Sequence, residues 1–173
     1  MSLDELNLRA ATPADVSLLF DLIKALAEYE KLSHTVTGNV ASLEAHLFGE
    51  PGADRSNHRP IAEAIIAELR GQPVGFSLFF HNHSTFLTQP GIYIEDLFVL
   101  PEYRGRGIGK RLVSYVAELA VSRNCGCLKW SVLDWNESAI GFYQNIGASI
   151  LDEWRICRVT DNALSSLASR QQL

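Results

Sequence analysis

Leu18, Leu19, Leu22, Ile23, Leu26 and Ala27 recur every three or four residues, which predicts a helix with one buried face that runs to about Tyr29. Thr12-Pro13-Ala14-Asp15 supplies a cap, a first-position proline and an early acid, so the helix should begin there. Before it, Leu6–Ala10 alternates in the manner of an edge strand; after it, Val40–Phe48 predicts a shorter helix. The stretch GEPGADRSNHRP (49–60) has the composition of an exposed loop. Ile61–Leu69, Pro73–His81 and Ile92–Val99 are rich in isoleucine, phenylalanine and valine and are parted by turn formers such as Arg70-Gly71-Gln72, which predicts a three-stranded meander. His81 and His83 fall in its hairpin loop and receive no role.

Helical spacing returns over Ile108–Val121, with Asn124 and Gly126 as a stop, and Leu128–Leu133 follows as a short apolar strand. Asn136 can cap a helix that runs to Ile146, with Gly147 taking the left-handed position after it. Ser149–Val159 then reads as a strand, and Asp161 as the cap of a terminal helix. The order β-α-α-β-β-β-α-β-α-β predicts a mixed α/β fold with helices on both faces of one sheet.

Composition narrows the setting. At 173 residues with 47% hydrophobic positions the chain can close one substantial core, so a single domain over 1–173 is expected. No apolar run approaches the roughly 18 residues of a membrane helix, and MSLDELNLRA carries acids where a secretory leader would be basic and then apolar. A soluble, cytoplasmic protein is the expectation. Three cysteines, two of them as Cys125-x-Cys127, lack the spacing of a zinc site, so no metal is expected. A net charge of −5 argues against nucleic acid as a partner and suits a small cationic one.

The most specific local signal is Arg104-Gly105-Arg106-Gly107-Ile108-Gly109-Lys110, which leaves a strand and opens a helix. Backbone N–H groups and the positive end of the helix dipole can there surround an anion, and glycine lets the backbone come close. Arg104, Arg106, Lys110 and Arg111 put four of the chain's 15 basic residues in eight positions, on a helix start whose dipole they oppose. Such a cluster fits a pyrophosphate. The spacing matches neither G-x-G-x-x-G nor a P-loop.

The R-x-x-G-x-G run after Val99-Leu100-Pro101-Glu102-Tyr103 resembles the acetyl-CoA signature of the GCN5-related N-acetyltransferases (GNAT). Leu22-Ile23-Lys24-Ala25-Leu26-Ala27-Glu28-Tyr29-Glu30, Tyr93-Ile94-Glu95-Asp96-Leu97-Phe98-Val99, Asp134-Trp135-Asn136-Glu137, Gly141-Phe142-Tyr143 and Glu153-Trp154-Arg155 are similar to the diamine (spermidine/spermine) and thialysine acetyltransferase branch. The resemblance implies a mostly antiparallel mixed sheet whose strands over Ile92–Val99 and Leu128–Leu133 splay apart. It implies acetyl-CoA held by the main chain at Leu97, Phe98 and Val99, by Arg104 through Lys110, and by Asn136. It further implies Tyr143 as general acid toward the departing thiolate and Glu95 as acceptor of the amine's proton, with Asp96 orienting the cation. Glu28, Tyr29, Glu30, Lys129, Trp130 and Ser131 are expected around the amine.

From strand alternation alone, only one of Glu95 and Asp96 should face a given pocket. The resemblance implies direct acetyl transfer to the primary amine of a polyamine, diamine or lysine-like acceptor, in a homodimer. The alternatives are a protein-lysine or aminoglycoside-type acetyltransferase and a non-catalytic acyl-CoA sensor.

Overall fold

The computed structural model describes residues 5–49 and 60–169, so most of the loop expected over 49–60 lies outside the described residues. Strand β1 (Leu6–Ala10) leads through a 3-10 turn (Pro13–Asp15) into α1 (Val16–Tyr29), and α2 (Val40–Phe48) follows. Then come β2 (Glu63–Leu69), β3 (Gln72–Ser84), β4 (Gln89–Val99), α3 (Ile108–Ser122) and β5 (Leu128–Trp130). The sheet order is β1-β2-β3-β4-β5; the first four strands are antiparallel, and β5 runs parallel to β4. His81 and His83 lie inside β3, which extends past the expected end of the strand at His81.

Two apolar layers fix the helices to opposite faces. Leu19 and Leu22 of α1 and Leu47 of α2 bury themselves against Ile66, Phe76, Leu78 and Phe98. On the other face Ile108, Leu112, Val116 and Ala120 of α3 pack against Ile65, Phe79, Ile92, Ile94 and Val99. Arg123, just past α3, grips Glu63 of β2 through two hydrogen bonds of 2.6 and 2.8 Å, which ties the helix end to the sheet.

At the start of α1 the acid predicted for the first turn is largely buried and does more than complement the dipole. Asp15 accepts two hydrogen bonds from the Arg9 guanidinium, at 2.7 and 2.8 Å, and others from the Thr12 N–H and hydroxyl at 2.8 and 2.7 Å. Arg9 also donates to Glu68 at 2.9 Å. The Arg9 hydrogen bonds hold the Asp15 carboxyl far below the usual carboxylate range. Its stabilisation is thus complete at neutral pH and fades as acid drops below about pH 4, where the unfolded carboxylate begins to bind protons. Asp15→Asn should cost about 2–3 kcal/mol at pH 7. In urea denaturation the gap between variant and wild type should narrow as the pH falls from 4; an equal gap at pH 7 and pH 3 would contradict the role.

The described residues fall into two compact units, Met1–Ser131 and Val132–Leu173. The second holds α4 (Glu137–Asn145) and α5 (Asp161–Ser169). Gly147 takes φ +97° after α4, as the sequence predicts. The strand expected over 149–159 does not form. That segment holds a turn at 152–153 and no ladder pairing, and Leu151, Trp154, Ile156 and Val159 are 48–79% exposed. Alternating side chains make a segment fit to be a strand, but only a neighbour's N–H and C=O groups make it one.

Candidate active site

The bend of β4 organises the site. Leu78 of β3 stands opposite Asp96 while Phe79 stands opposite Ile94, which leaves Glu95 as an extra residue, a β-bulge. Before the bulge Ile92 and Ile94 point toward α3; after it Leu97 and Val99 do, and Phe98 points toward α1. Glu95 thus keeps the parity of Tyr93, and Asp96 takes that of Phe98. Both carboxylates fall on the α1 face, which corrects the expectation that strict alternation would separate them.

The bulge also turns the main chain. The Ile92 N–H reaches toward β5, to the Cys127 carbonyl at 3.1 Å, and the Leu100 N–H reaches the other way, to Val74 of β3 at 2.9 Å. Counting back from Leu100, alternation directs the N–H groups of Leu97 and Val99 to the β5 side. There β5 has already ended as a partner, because it pairs only Leu128, Lys129 and Trp130 with Ile92, Tyr93 and Ile94. The ladder between the two strands thus ends at Ile94, as the splay implied by the resemblance requires, and the N–H groups of Leu97 and Val99 lie past its last pair. The Phe98 side chain is core, 3% exposed. Where the two strands part, the Tyr93 hydroxyl meets the Ser131 hydroxyl at 2.5 Å. Tyr93 was not among the residues singled out from the sequence; its place opposite Lys129 was hidden until the parallel register was known.

Beyond β4 the glycine turn opens α3. Gly105 and Gly107 take φ +72° and +82°, and Gly107 is the residue before the helix. The first intrahelical bond of the turn runs from the Arg111 N–H to the Gly107 carbonyl, so the N–H groups of Ile108, Gly109 and Lys110 precede the helical ladder. A Cβ built on Gly105 would meet nothing within 4 Å, so the turn is open to an approaching group. This start fits a pyrophosphate through its backbone.

The arginines of the turn have partners within the chain. Arg104 donates from Nε to the Val99 carbonyl at 2.9 Å and lies over the Tyr29 ring at 4.0 Å and the Phe98 ring at 5.5 Å. It thereby holds the end of β4 against the end of α1. Arg106 donates to the Glu102 carbonyl at 2.9 Å and stacks on Tyr103. Lys110 and Arg111 are exposed in the first turn of α3, whose Ile108 side chain is buried.

The end of α1 splits a group that the sequence treats as one. Glu28 shares an outward stripe with Asp21, Lys24 and Ala25, and this stripe lines an open cleft of about 560 Å³ with Phe20, Ser33 and Val36. Glu30 sits about 200° further around the axis. With Tyr29 under Arg104, it turns toward β4, where its charge acts on Asp96. Burial first, then the negative charges of Glu95 and Glu30, push the Asp96 carboxyl up to about 7. Burial also raises Glu30. Glu95 itself is exposed, and Asp96 half-buried.

In the second unit the Asn136 side chain accepts the Ala139 N–H at 3.2 Å, as a helix cap does. Tyr143 lies two turns on, 8% exposed, with its ring 5.1 Å from that of Phe142. Lys129 and Ser131 are exposed, and Trp130 is half-buried opposite Ile94. Among the described residues no group of three or more His, Cys, Asp or Glu is placed to hold a metal, and no helix is long and apolar enough to cross a membrane.

The profile of the Acetyltransferase (GNAT) family matches residues 23–148, and the chain belongs to that family of N-acetyltransferases. It is 35% identical to the thialysine N-epsilon-acetyltransferase of Mus musculus, over 95% of this chain and 98% of that protein. It is 32% identical to the L-ornithine N5-acetyltransferase NATA1 of Arabidopsis thaliana, over 93% and 87% of the two chains. Among solved structures, an integron cassette protein from the mobile metagenome of V. cholerae superposes with a TM-score of 0.74 at 24% identity, over 95% of this chain and 98% of the other. An aminoglycoside acetyltransferase from an uncultured soil sample superposes with a TM-score of 0.75 at 17% identity, over 93% and 100%. At such identities these two likenesses concern the fold.

Proposed function

We propose that the protein transfers the acetyl group of acetyl-CoA directly to the primary amine of a small cationic acceptor: a diamine, a polyamine or a lysine-like amino acid. One observation carries this reading. On a single bulged strand, the two outward N–H groups of Leu97 and Val99 stand immediately beside the carboxylates of Glu95 and Asp96. Donors for a developing oxyanion and charges for an ammonium are thus fixed on the same rigid element. The related thialysine and ornithine enzymes act, by their names, on amino acids that carry a side-chain amine.

Acetyl-CoA, when bound, supplies an activated thioester. The backbone of the Gly105–Lys110 turn is suited to hold its pyrophosphate, with Asn136 as a further contact, and the Leu97 and Val99 N–H groups polarise the carbonyl as negative charge grows on its oxygen. A β4 carboxylate takes a proton from the ammonium, because only the neutral amine is a nucleophile and an alkyl amine is mostly protonated at pH 7. Tyr143 gives a proton to the departing sulfur. None of the three cysteines falls in the β4 bulge or the glycine turn, which favours a ternary complex over an acyl-enzyme. The working form in this reading is a cytoplasmic homodimer, with no nucleic-acid or membrane partner. The exposed apolar side chains over 149–159 are surface that a second copy would cover.

The test is thiol release from acetyl-CoA against a panel of thialysine, ornithine, putrescine, spermidine, a lysine peptide and an aminoglycoside. The small amines should exceed the last two in kcat/KM by about tenfold or more. The reverse ranking would favour a protein-lysine or aminoglycoside enzyme. Acetyl-CoA binding with no turnover on any acceptor would indicate a sensor.

A further inference from the structure

We infer that the acceptor is an amino acid with a side-chain amine, and that Lys129 holds its carboxylate while its methylenes lie along the paired rings of Phe80 and Tyr93. The inference rests on the acetyl-transfer reading above and names, within it, the class of amine.

The parallel ladder builds the subsite. Tyr93 of β4 stands opposite Lys129 of β5, and Ile94 opposite Trp130. Ile94 and Trp130 belong to the layer under α3, so Lys129, one residue before Trp130, turns to the α1 face. Ser131 lies on that side too, because its hydroxyl meets the Tyr93 hydroxyl at 2.5 Å. The Tyr93 ring is 5.4 Å from the ring of Phe80, its ladder partner in β3. The result is a shelf of two rings with a lysine along its β5 side. The two hydroxyls share one hydrogen bond, which uses one of their two protons and leaves the other O–H to donate to a ligand.

Charge changes sign along this shelf. Glu95 keeps the parity of Tyr93 two residues further on, about 7 Å along β4, and Asp96 and Glu30 lie together beyond it. That end is acidic and adjoins the Leu97 and Val99 N–H groups, where an amine must arrive to be acylated. At the other end Lys129 is exposed, and among the described residues no ion pair engages it. Other cations on the α1 side are occupied: Arg104 is held by the Val99 carbonyl and the rings of Tyr29 and Phe98, and Lys24 by Asp21 at 2.6 Å. A diamine would bring its second ammonium toward Lys129 and be repelled. An amino acid with a side-chain amine has the complementary pattern, an ammonium at its tip, a carboxylate several bonds back, and methylenes between them to cover the rings.

The experiment measures kcat/KM for two matched pairs of acceptors, thialysine against its carboxamide and ornithine against putrescine, in wild type, Lys129→Gln, Lys129→Arg and Lys129→Glu. In each pair the carboxylate should be worth about tenfold or more to wild type, chiefly through KM, and the margin should shrink as salt rises. Lys129→Gln should bring the thialysine-to-carboxamide ratio close to one, and Lys129→Arg should restore it. Lys129→Glu should reverse the second pair, so that putrescine exceeds ornithine. Each ratio is taken on one preparation and is therefore independent of how much of a variant is folded. Wild-type ratios near one, or wild-type ratios preserved in Lys129→Gln and Lys129→Glu, overturn the assignment and leave acetyl transfer to small amines standing. If no acceptor is acetylated, the function has failed, and calorimetry decides the subsite separately. Thialysine binding more tightly than its carboxamide to wild type, with the difference lost in Lys129→Glu, supports the role of Lys129; equal binding, or none, removes it.

Discussion

Tyr143→Phe should lower kcat by roughly 10²–10⁴-fold, the usual scale of a general acid, while the KM for acetyl-CoA moves little. The substitution keeps the ring, its 5.1 Å contact with Phe142 and nearly all of its volume in a position that is only 8% exposed. What it removes is the hydroxyl that protonates sulfur in the proposed mechanism. A tyrosine that served only to pack would respond differently, with a small drop in melting temperature and nearly normal turnover. Measuring kcat and melting temperature on one preparation separates the two roles, and turnover close to wild type would return Tyr143 to the core of its unit.

The second large effect is expected at Gly107. With φ at +82°, this residue sits where an L side chain is strained, and a β-branched one more so. Valine there would both resist the turn and place its methyl groups beside the first N–H groups of α3. Each charge-assisted hydrogen bond lost is worth about 1.5–3 kcal/mol, so acetyl-CoA should bind roughly 10–100-fold more weakly to Gly107→Val. Titration calorimetry on the folded variant is the check. Unchanged affinity would remove the pyrophosphate role from the turn. Loss of Arg106 should matter less, because its guanidinium is already engaged by Glu102 and Tyr103.

Much of this architecture is legible in the chain itself. The Leu18–Ala27 stripe, the Ile108–Val121 stripe and the isoleucine- and valine-rich strands each bury the face that their spacing predicts, because burial of one face is what the spacing encodes. The glycine turn is legible for the same kind of reason: positive φ leaves few residue types to choose from. The bulge at Glu95 is not, since nothing in Ile94-Glu95-Asp96-Leu97 distinguishes a regular strand from a bulged one; the register across β3 sets it. The separation of Glu28 from Glu30 was available from helical angle alone, once the end of α1 is placed at Tyr29. Arg104 shows a role that its charge does not announce. In the motif it reads as a phosphate ligand, and in the fold its planar guanidinium joins the end of β4 to α1. The segment over 149–159 shows the limit of alternation, which describes a surface and not a partner.

The central claim is transfer of acetyl to a small amine, and its most direct test is the identity of the product. Incubation of the protein with acetyl-CoA and thialysine, followed by mass spectrometry of the small molecules, should show thialysine carrying one acetyl group on its side-chain amine in step with the thiol released. Thialysine recovered unmodified, and ornithine, putrescine and spermidine likewise in parallel incubations, with thiol appearing at the rate of hydrolysis alone, would contradict it.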